Sequence, residues 1–255
     1  MEKTRRIAGT DVARIGLGTN RLTNTSEGVA FVRAAVEAGI GLVDTAHLYT
    51  GGESEATVGA ALSPVPEGCV VATKGGYRPG EGKPEVLRAQ IEESLRKLRT
   101  DSIGLYYLHR VDPETPLEES LGVIREYHDR GAIREIGISH VGVDEIERAR
   151  RVVPIAAVQN PYNLADRTYD EVLDYCAGQR ITLVEYYPLH AELGPAVHEI
   201  AERHGATPRQ VALAWLLQRS PAILPIPGTL SLEHVRENLG ALQLQLSDDE
   251  VAALR

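Results

Sequence analysis

The sequence predicts a single (β/α)8 barrel of the TIM type. Three observations carry that prediction: a length of 255 residues, a regular alternation of short apolar runs with longer amphipathic ones, and eight such short runs. One barrel of this kind needs about 250 residues. Runs such as Val70-Val71-Ala72-Thr73 and Ile155-Ala156-Ala157-Val158 are apolar almost throughout. That suits strands of a parallel sheet covered on both faces. Alternation of strand and helix patterns implies βαβ units. An open, doubly wound sheet is the competing architecture. Gly16-Leu17-Gly18-Thr19-Asn20-Arg21 lacks the third glycine of a dinucleotide-binding turn, and eight strands favour closure.

The elements follow in order. Residues 5–13 set turn residues between short apolar runs, which predicts a short N-terminal β-hairpin capping the bottom of the barrel. The first strand spans 14–19. A helix over 27–38 stops at Gly39, a residue suited to a left-handed helix end. The second and third strands cover 41–45 and 70–74. A helix over 84–98 opens on Pro84. The fourth strand covers 103–109, and a helix over 116–130 ends at Gly131. Strands over 135–139 and 155–160 are followed by helices over 143–152 and 169–177. The seventh strand spans 182–187, and a helix follows the short connection at 188–194. Thr207 and Pro208 read as cap and first residue of a helix over 209–219. Trp215 lies there in an apolar stripe that reads as a face packed on the barrel. The eighth strand covers 223–227, and another helix begins near Ser231. Ser247-Asp248-Asp249-Glu250 has the form of a capping box on a last short helix. No linker or low-complexity tract interrupts the pattern, so residues 1–255 read as one domain.

Composition narrows the function. The net charge is -9 and the basic residues are dispersed, which argues against nucleic acid as a partner. The N-terminus is charged, and no stretch approaches the ~20 apolar residues of a membrane span. A cytoplasmic protein without a membrane partner is expected, as a monomer or weak homo-oligomer. Cys69 and Cys176 form no paired motif and read as buried thiols of a reducing compartment.

In a (β/α)8 barrel the chemistry sits at the C-terminal ends of the strands. There the sequence places Asp44 and then Tyr49, Lys74, His109, Ser139 with His140, Gln159, Tyr186 with Tyr187, and Pro227-Gly228-Thr229. Each alone has an ordinary structural use. On successive strands of one barrel they share one mouth. A tyrosine is a poor acid near neutrality, with an ordinary pKa of about 10. An ammonium beside it lowers that value, and Lys74 is placed to supply one. Asp44 would keep Lys74 charged and aimed, Tyr49 would give a proton, and His109 would bond and orient a carbonyl oxygen. Such a set fits protonation of an oxygen while hydride arrives at carbon. It does not fit hydrolysis, because no activated nucleophile or metal-ligand spacing accompanies it.

These residues resemble the aldo-keto reductase family. The likeness rests on Leu42-Val43-Asp44-Thr45-Ala46-His47-Leu48-Tyr49 followed by Ser54-Glu55, on Val71-Ala72-Thr73-Lys74, and on Leu105-Tyr106-Tyr107-Leu108-His109. It continues with Ile136-Gly137-Ile138-Ser139-His140, Val158-Gln159-Asn160-Pro161-Tyr162-Asn163 and Leu224-Pro225-Ile226-Pro227-Gly228-Thr229, with Glu237-Asn238 downstream. It runs in order from about Gly16 to the C-terminus. The resemblance implies a nicotinamide-dependent oxidoreductase acting on a small aldehyde or ketone, or the matching alcohol, with Asp44, Tyr49, Lys74 and His109 as its catalytic tetrad. It implies that Ser139 and Gln159 hold the nicotinamide carboxamide and that Tyr186 stacks on the ring. His140 stands where many members have Asn, and Tyr187 where a small Ser is common. Gly18, Thr19, Asn20, Pro188, Leu189, Ile226 and Glu237 are further implied cofactor contacts.

Members strict for NADPH carry a Lys and an Arg where this chain has Gly228 and His234. Thr229 and Asn238 match contacts to phosphate and adenine. Arg236 is the nearby candidate for a 2′-phosphate clamp, and the helix near Ser231 offers its N-terminal amides. The expected cofactor is NADP(H), favoured over NAD(H) without strictness. A short connection at 188–194 and an end at Arg255 imply an open site, fast cofactor exchange and loose substrate choice. Asn20-Arg21 replaces a Trp of many members, which makes the pocket polar and places Arg21 to attract an anionic substrate. Three other readings compete. Lys74 as the Schiff-base lysine of an aldolase is one. A cofactor-binding regulatory module with little turnover, resembling potassium-channel beta subunits through Gln159–Asn163, is another. A metal on His47, His109 and Asp44 is the third, and it lacks supporting spacing.

Overall fold

The computed structural model describes residues 2–254. It opens with an antiparallel hairpin, β1 (Thr4–Ile7) and β2 (Thr10–Ala13). Ala8 and Gly9 join the strands, both at positive φ, the backbone that a two-residue hairpin turn demands. Ile7 and Val12 are buried against Leu42, Leu105, Tyr107 and Leu224. The expected cap on the barrel bottom is therefore present, and it seals the interior with side chains.

Eight parallel strands follow, each paired with its neighbour in sequence. They are β3 (Leu17–Gly18), β4 (Leu42–Asp44), β5 (Val70–Gly75), β6 (Ile103–Leu108), β7 (Ile133–Ser139), β8 (Ile155–Pro161), β9 (Thr182–Tyr186) and β10 (Ile223–Pro225). The Gly16 amide donates to the Pro225 carbonyl at 2.9 Å, and a parallel bridge joins Gly18 to Gly228, so the ring closes. The first strand is shorter than the expected 14–19. The Arg14 amide goes to the Lys3 carbonyl instead. At Gly16 a Cβ would lie 2.9 Å from both Leu42 O and Ile226 Cγ2, so this stretch is a close-approach seam.

The outer layer is α1 (Ser26–Glu37), α2 (Glu53–Leu62), α3 (Pro84–Leu98), α4 (Leu117–Asp129), α5 (Val143–Arg150), α6 (Asp170–Gln179), α7 (Pro195–His204), α8 (Pro208–Arg219), α9 (Leu232–Gly240) and α10 (Asp248–Ala253). The expected cap at Thr207 opens α8, where Gln210 completes a full capping box, and the expected capping box at Ser247 opens α10. Trp215 is fully buried on α8. Cys69 and Cys176 are free and buried. Helix α2 escapes a reading by periodicity because Ser54, Glu55 and Thr57 point inward beside Val58 and Leu62. Arg14, also buried, donates to the carbonyls of Ile223, Glu2, Leu217 and Ser220 at 2.6–3.1 Å. Two of those carbonyls close the C-terminal end of α8, where a helix leaves acceptors without partners. Among the described residues no helix is long and apolar enough to cross a membrane.

Candidate active site

The open end of the barrel holds a cleft of about 550 Å³. Its floor is made where strands end on polar side chains. Asp44 ends β4 and Lys74 is next to last in β5; both are buried. The Lys74 ammonium donates to Asp44 Oδ1 at 2.5 Å, to the Thr45 carbonyl at 2.7 Å and to the Tyr49 hydroxyl at 3.4 Å. These use its three protons. Burial works against the charge, but Asp44 and the Tyr49 oxygen outweigh it, so Lys74 is held above its ordinary value and stays charged. That state has no lone pair for a carbonyl carbon, so Lys74 stands here as a charge partner of Tyr49 and not as a resting nucleophile.

Tyr49 begins a single 3-10 turn in which Thr50 and Gly51 take left-handed backbone. Gly52 does the same, and a Cβ there would collide with the Lys97 ammonium at 1.8 Å. A knot of hydroxyls fastens this loop. Ser54 Oγ lies 2.8 Å from Thr19 Oγ1 and 2.7 Å from Thr45 Oγ1, and Thr50 donates to the Leu22 carbonyl at 2.7 Å. Burial lifts the Tyr49 phenol above its ordinary value; Lys74 opposes this and Asp44 adds to it. The expected lowering by Lys74 is thus corrected. The ammonium is in place, yet loss of water around the phenol dominates, and Tyr49 stands as a neutral donor.

His109 follows β6, its amide bonded to the Gly75 carbonyl at 2.8 Å. Its ring meets Tyr49 edge-on with centroids 6.1 Å apart and lies 4.8 Å from the Tyr77 ring. Burial, then the charges of Lys74 and Arg110, drive its pKa down to about 2. The imidazole is neutral, with a single N–H to donate. Gln159 completes the floor, its side chain donating from Nε2 to Asp44 Oδ2 at 2.9 Å while its backbone carbonyl accepts the Ser139 hydroxyl at 2.8 Å.

The matching family model, described as the Aldo/keto reductase family, covers residues 14–194 and 187–255. The chain belongs to the aldo/keto reductase family. A pyridoxine 4-dehydrogenase of Escherichia coli is 34% identical over 242 residues, covering 89% of this chain and 85% of its own. A thermostable aldo-keto reductase solved with the inhibitor epalrestat superposes with a TM-score of 0.91 at 33% identity, over 98% of each chain. An aldo/keto reductase of Klebsiella pneumoniae, solved with NADP and acetate, gives 0.90 at 30% identity over 100% of this chain and 94% of its own.

In this reductase most of the sequence-expected residues share the cleft. Gly18, Thr19, Asn20, Asp44, Tyr49, His109, Ser139, Gln159, Tyr186, Tyr187, Pro188, Leu189, Ile226 and Gly228 all line it, with Lys74 directly behind. His140 does not. It is exposed at φ 59, and its Nδ1 lies 3.0 Å from the Tyr186 hydroxyl. Left-handed backbone favours Asn over bulkier residues, so His140 occupies a conformation that suits its side chain less well than it would suit Asn. Tyr187 also takes φ 58 and is 55% exposed, with its ring 5.1 Å from that of Tyr186. A bulky residue held so at a cleft mouth is strained.

Of the expected cofactor contacts, Thr229, His234, Glu237 and Asn238 lie beyond Gly228 and do not line the cleft. Thr229 Oγ1 lies 3.3 Å from His234 Nδ1 and accepts the Ser231 amide at 3.0 Å. Glu237 is tied to the start of α8, accepting from the Thr207 hydroxyl at 2.6 Å and, through its carbonyl, from Gln210 Nε2 at 2.8 Å. Arg236 is exposed on α9 and is not part of the cleft wall. The arginines on the wall are Arg21, Arg110 and Arg209. Sequence reasoning missed Arg110 and Arg209, and with them Leu48, Tyr77 and His190, because none ends a strand. Arg209 had one signal: it follows the Thr207-Pro208 helix start.

Proposed function

We propose that this reductase transfers hydride between NADP(H), and less tightly NAD(H), and the carbonyl of a small aldehyde or ketone, with Tyr49 as general acid. The observation that carries it is the convergence of a buried Lys74–Asp44 pair, a neutral Tyr49 and a neutral His109 on one cleft. The Klebsiella relative crystallised with NADP supports the cofactor assignment. The residues fit such a group. Asn238 keeps its Oδ1 buried without a partner among the described residues, as an adenine contact would need. Ser139, Gln159 and Tyr186 line the cleft beside the tetrad, where the carboxamide and ring of a nicotinamide would lie. Arg21 and Arg209 bring positive charge to the wall, in place of Arg236.

When bound, the nicotinamide supplies the hydride. Tyr49 gives its proton to the carbonyl oxygen. The Lys74 ammonium stabilises the phenolate left behind, and Asp44 holds that ammonium charged. Neutral His109 donates one hydrogen bond and fixes the direction of the carbonyl. Two experiments test this. Calorimetric titration with NADPH and NADH measures both affinities, and loss of nicotinamide absorbance with a panel of aldehydes, ketones and quinones measures turnover. Tyr49→Phe is expected to retain nucleotide binding and to lose about 10²–10⁴ in kcat. Tight binding without turnover across the panel would favour a regulatory module instead, and binding of neither nucleotide would sink the proposal.

A further inference from the structure

The cleft carries a charge opposite to the protein's. The chain has a net charge of -9, yet the wall holds Arg21, Arg110 and Arg209. Among the described residues its only carboxylate is Asp44, which the Lys74 ammonium neutralises at 2.5 Å. A site of one sign in a protein of the other concentrates ligands by charge. The arginines divide by position. Arg21 reaches the Gly228 carbonyl at 3.4 Å, and Arg209 opens α8, whose Gln210 is bonded to α9. Arg110 directly follows His109.

Several contacts aim Arg110. Its amide donates to the Gly76 carbonyl at 3.0 Å, which fixes the backbone. Its guanidinium lies over the Tyr77 ring, 5.6 Å from the centroid. That same ring lies 4.8 Å from the His109 imidazole. Tyr77 is itself held, its amide donating to Glu81 at 3.0 Å. Among the described residues no carboxylate comes within ion-pair distance of Arg110, although the chain's other arginines pair with glutamates at several places, as Arg88 does with Glu126 and Arg148 with Glu118. A half-buried guanidinium facing a cleft with its charge unspent is an anion receptor, since its planar donors match carboxylate and phosphate oxygens in pairs.

We propose that the carbonyl substrate bears an anionic group, a carboxylate or a phosphate, seated on Arg110 while its carbonyl meets Tyr49 and His109. This inference rests on the hydride-transfer reading of the site. The guanidinium lies 5.6 Å from the Tyr77 centroid and that centroid 4.8 Å from the His109 ring, a placement that suits the two ends of a short-chain oxo acid or a phosphorylated aldehyde. Arg110 is then a specificity residue that acts on binding and on the direction of the carbonyl.

The test compares matched pairs on the full chain with NADPH: 4-oxobutanoate against its methyl ester, and glyceraldehyde 3-phosphate against glyceraldehyde. The anion is expected to win by about tenfold or more in kcat/KM in at least one pair, and the pair that shows it distinguishes carboxylate from phosphate. In Arg110→Met that ratio should fall by about tenfold, mainly through KM, and Arg110→Lys should restore part of it. A second readout needs no turnover. Binding of succinate and of inorganic phosphate to the protein saturated with NADP+, which occupies the cofactor's own phosphate seats, measured by calorimetry, should weaken in Arg110→Met. Equal ratios in wild type and Arg110→Met, or anion binding that survives the substitution, would overturn the anion seat and leave hydride transfer standing. Arg110-dependent anion binding without turnover of any carbonyl would keep the seat and sink hydride transfer.

Discussion

Arg14 and Arg110 are the same residue at opposite ends of one barrel, and they spend their charge in opposite ways. At the closed end, Arg14 is 1% exposed and gives its protons to four backbone carbonyls. Burial lowers its pKa to about 10, so it remains a cation at neutrality. At the open end, Arg110 lies over Tyr77 and faces no carboxylate among the described residues. Arg21 and Arg209 share that wall. Where the hairpin seals the barrel, a guanidinium stitches the end of α8 to β10. Where the loops leave it open, Arg110 makes no ion pair among the described residues, and Arg21 donates to a single carbonyl, that of Gly228. The division follows the general rule for the fold, in which one face carries stability and the other chemistry.

Substitutions can break that division. The largest effect is expected from Arg14→Met, which strips partners from buried carbonyls at the end of α8. A loss of about 3 kcal/mol, or roughly 10 °C in Tm, should appear in thermal unfolding, with nucleotide affinity little changed. A loss of nucleotide affinity larger than the loss of stability would show that the two ends are coupled. His109 gives the next effect. Its native pKa of about 2 lies far below the ordinary histidine value, so between those two values the unfolded chain holds a proton that the native chain does not. The stability this confers is complete above about pH 6.5 and declines as pH falls, by up to about 1.4 kcal/mol per pH unit. Urea denaturation of His109→Gln between pH 7 and 5 should show a flatter decline than wild type, and an equal slope would mean that His109 is charged in the native state. The smallest effect sharpens the contrast within the open end. Arg209→Ala is expected to weaken NADPH binding by about fivefold and NADH binding less, whereas Arg236→Ala should leave both within about twofold. The reverse ranking, read by calorimetry, would return the phosphate to α9.

Much of this was legible in the sequence, for an identifiable reason. The proposed tetrad stands out in the sequence because each of Asp44, Lys74 and His109 stops or ends an apolar run, and the barrel converts such ends into a common surface. The hairpin, the caps at Thr207 and Ser247 and the burial of Trp215 follow from local rules that need no tertiary knowledge. The illegible parts depend on what surrounds a residue. Helix α2 hides because its inward face is polar, and those polar groups form the hydroxyl knot behind Tyr49. The direction of the Tyr49 shift was misjudged because a neighbouring charge can be read from a motif, whereas the depth of burial opposing it cannot. Arg236 and Arg209 look alike in sequence, and only the packing of α8 against α9 decides which reaches the cleft. The left-handed backbone at His140 and Tyr187 left no mark beyond the unusual residues themselves.

The seam gives the barrel one mechanical peculiarity. Two residue pairs join β3 to β4, whereas five join β6 to β7, and closure against β10 depends on glycines at Gly16, Gly18 and Gly228. The molecule is in effect a split ring, stiff around most of its circumference and thinly clasped at one point. Gly18, Thr19, Asn20 and Gly228 stand at that clasp and also line the cleft. Amide hydrogens at the clasp should therefore exchange with solvent well before those of β5 to β8, and a bulky occupant could gain room by springing the clasp a little while the rest of the ring keeps its shape.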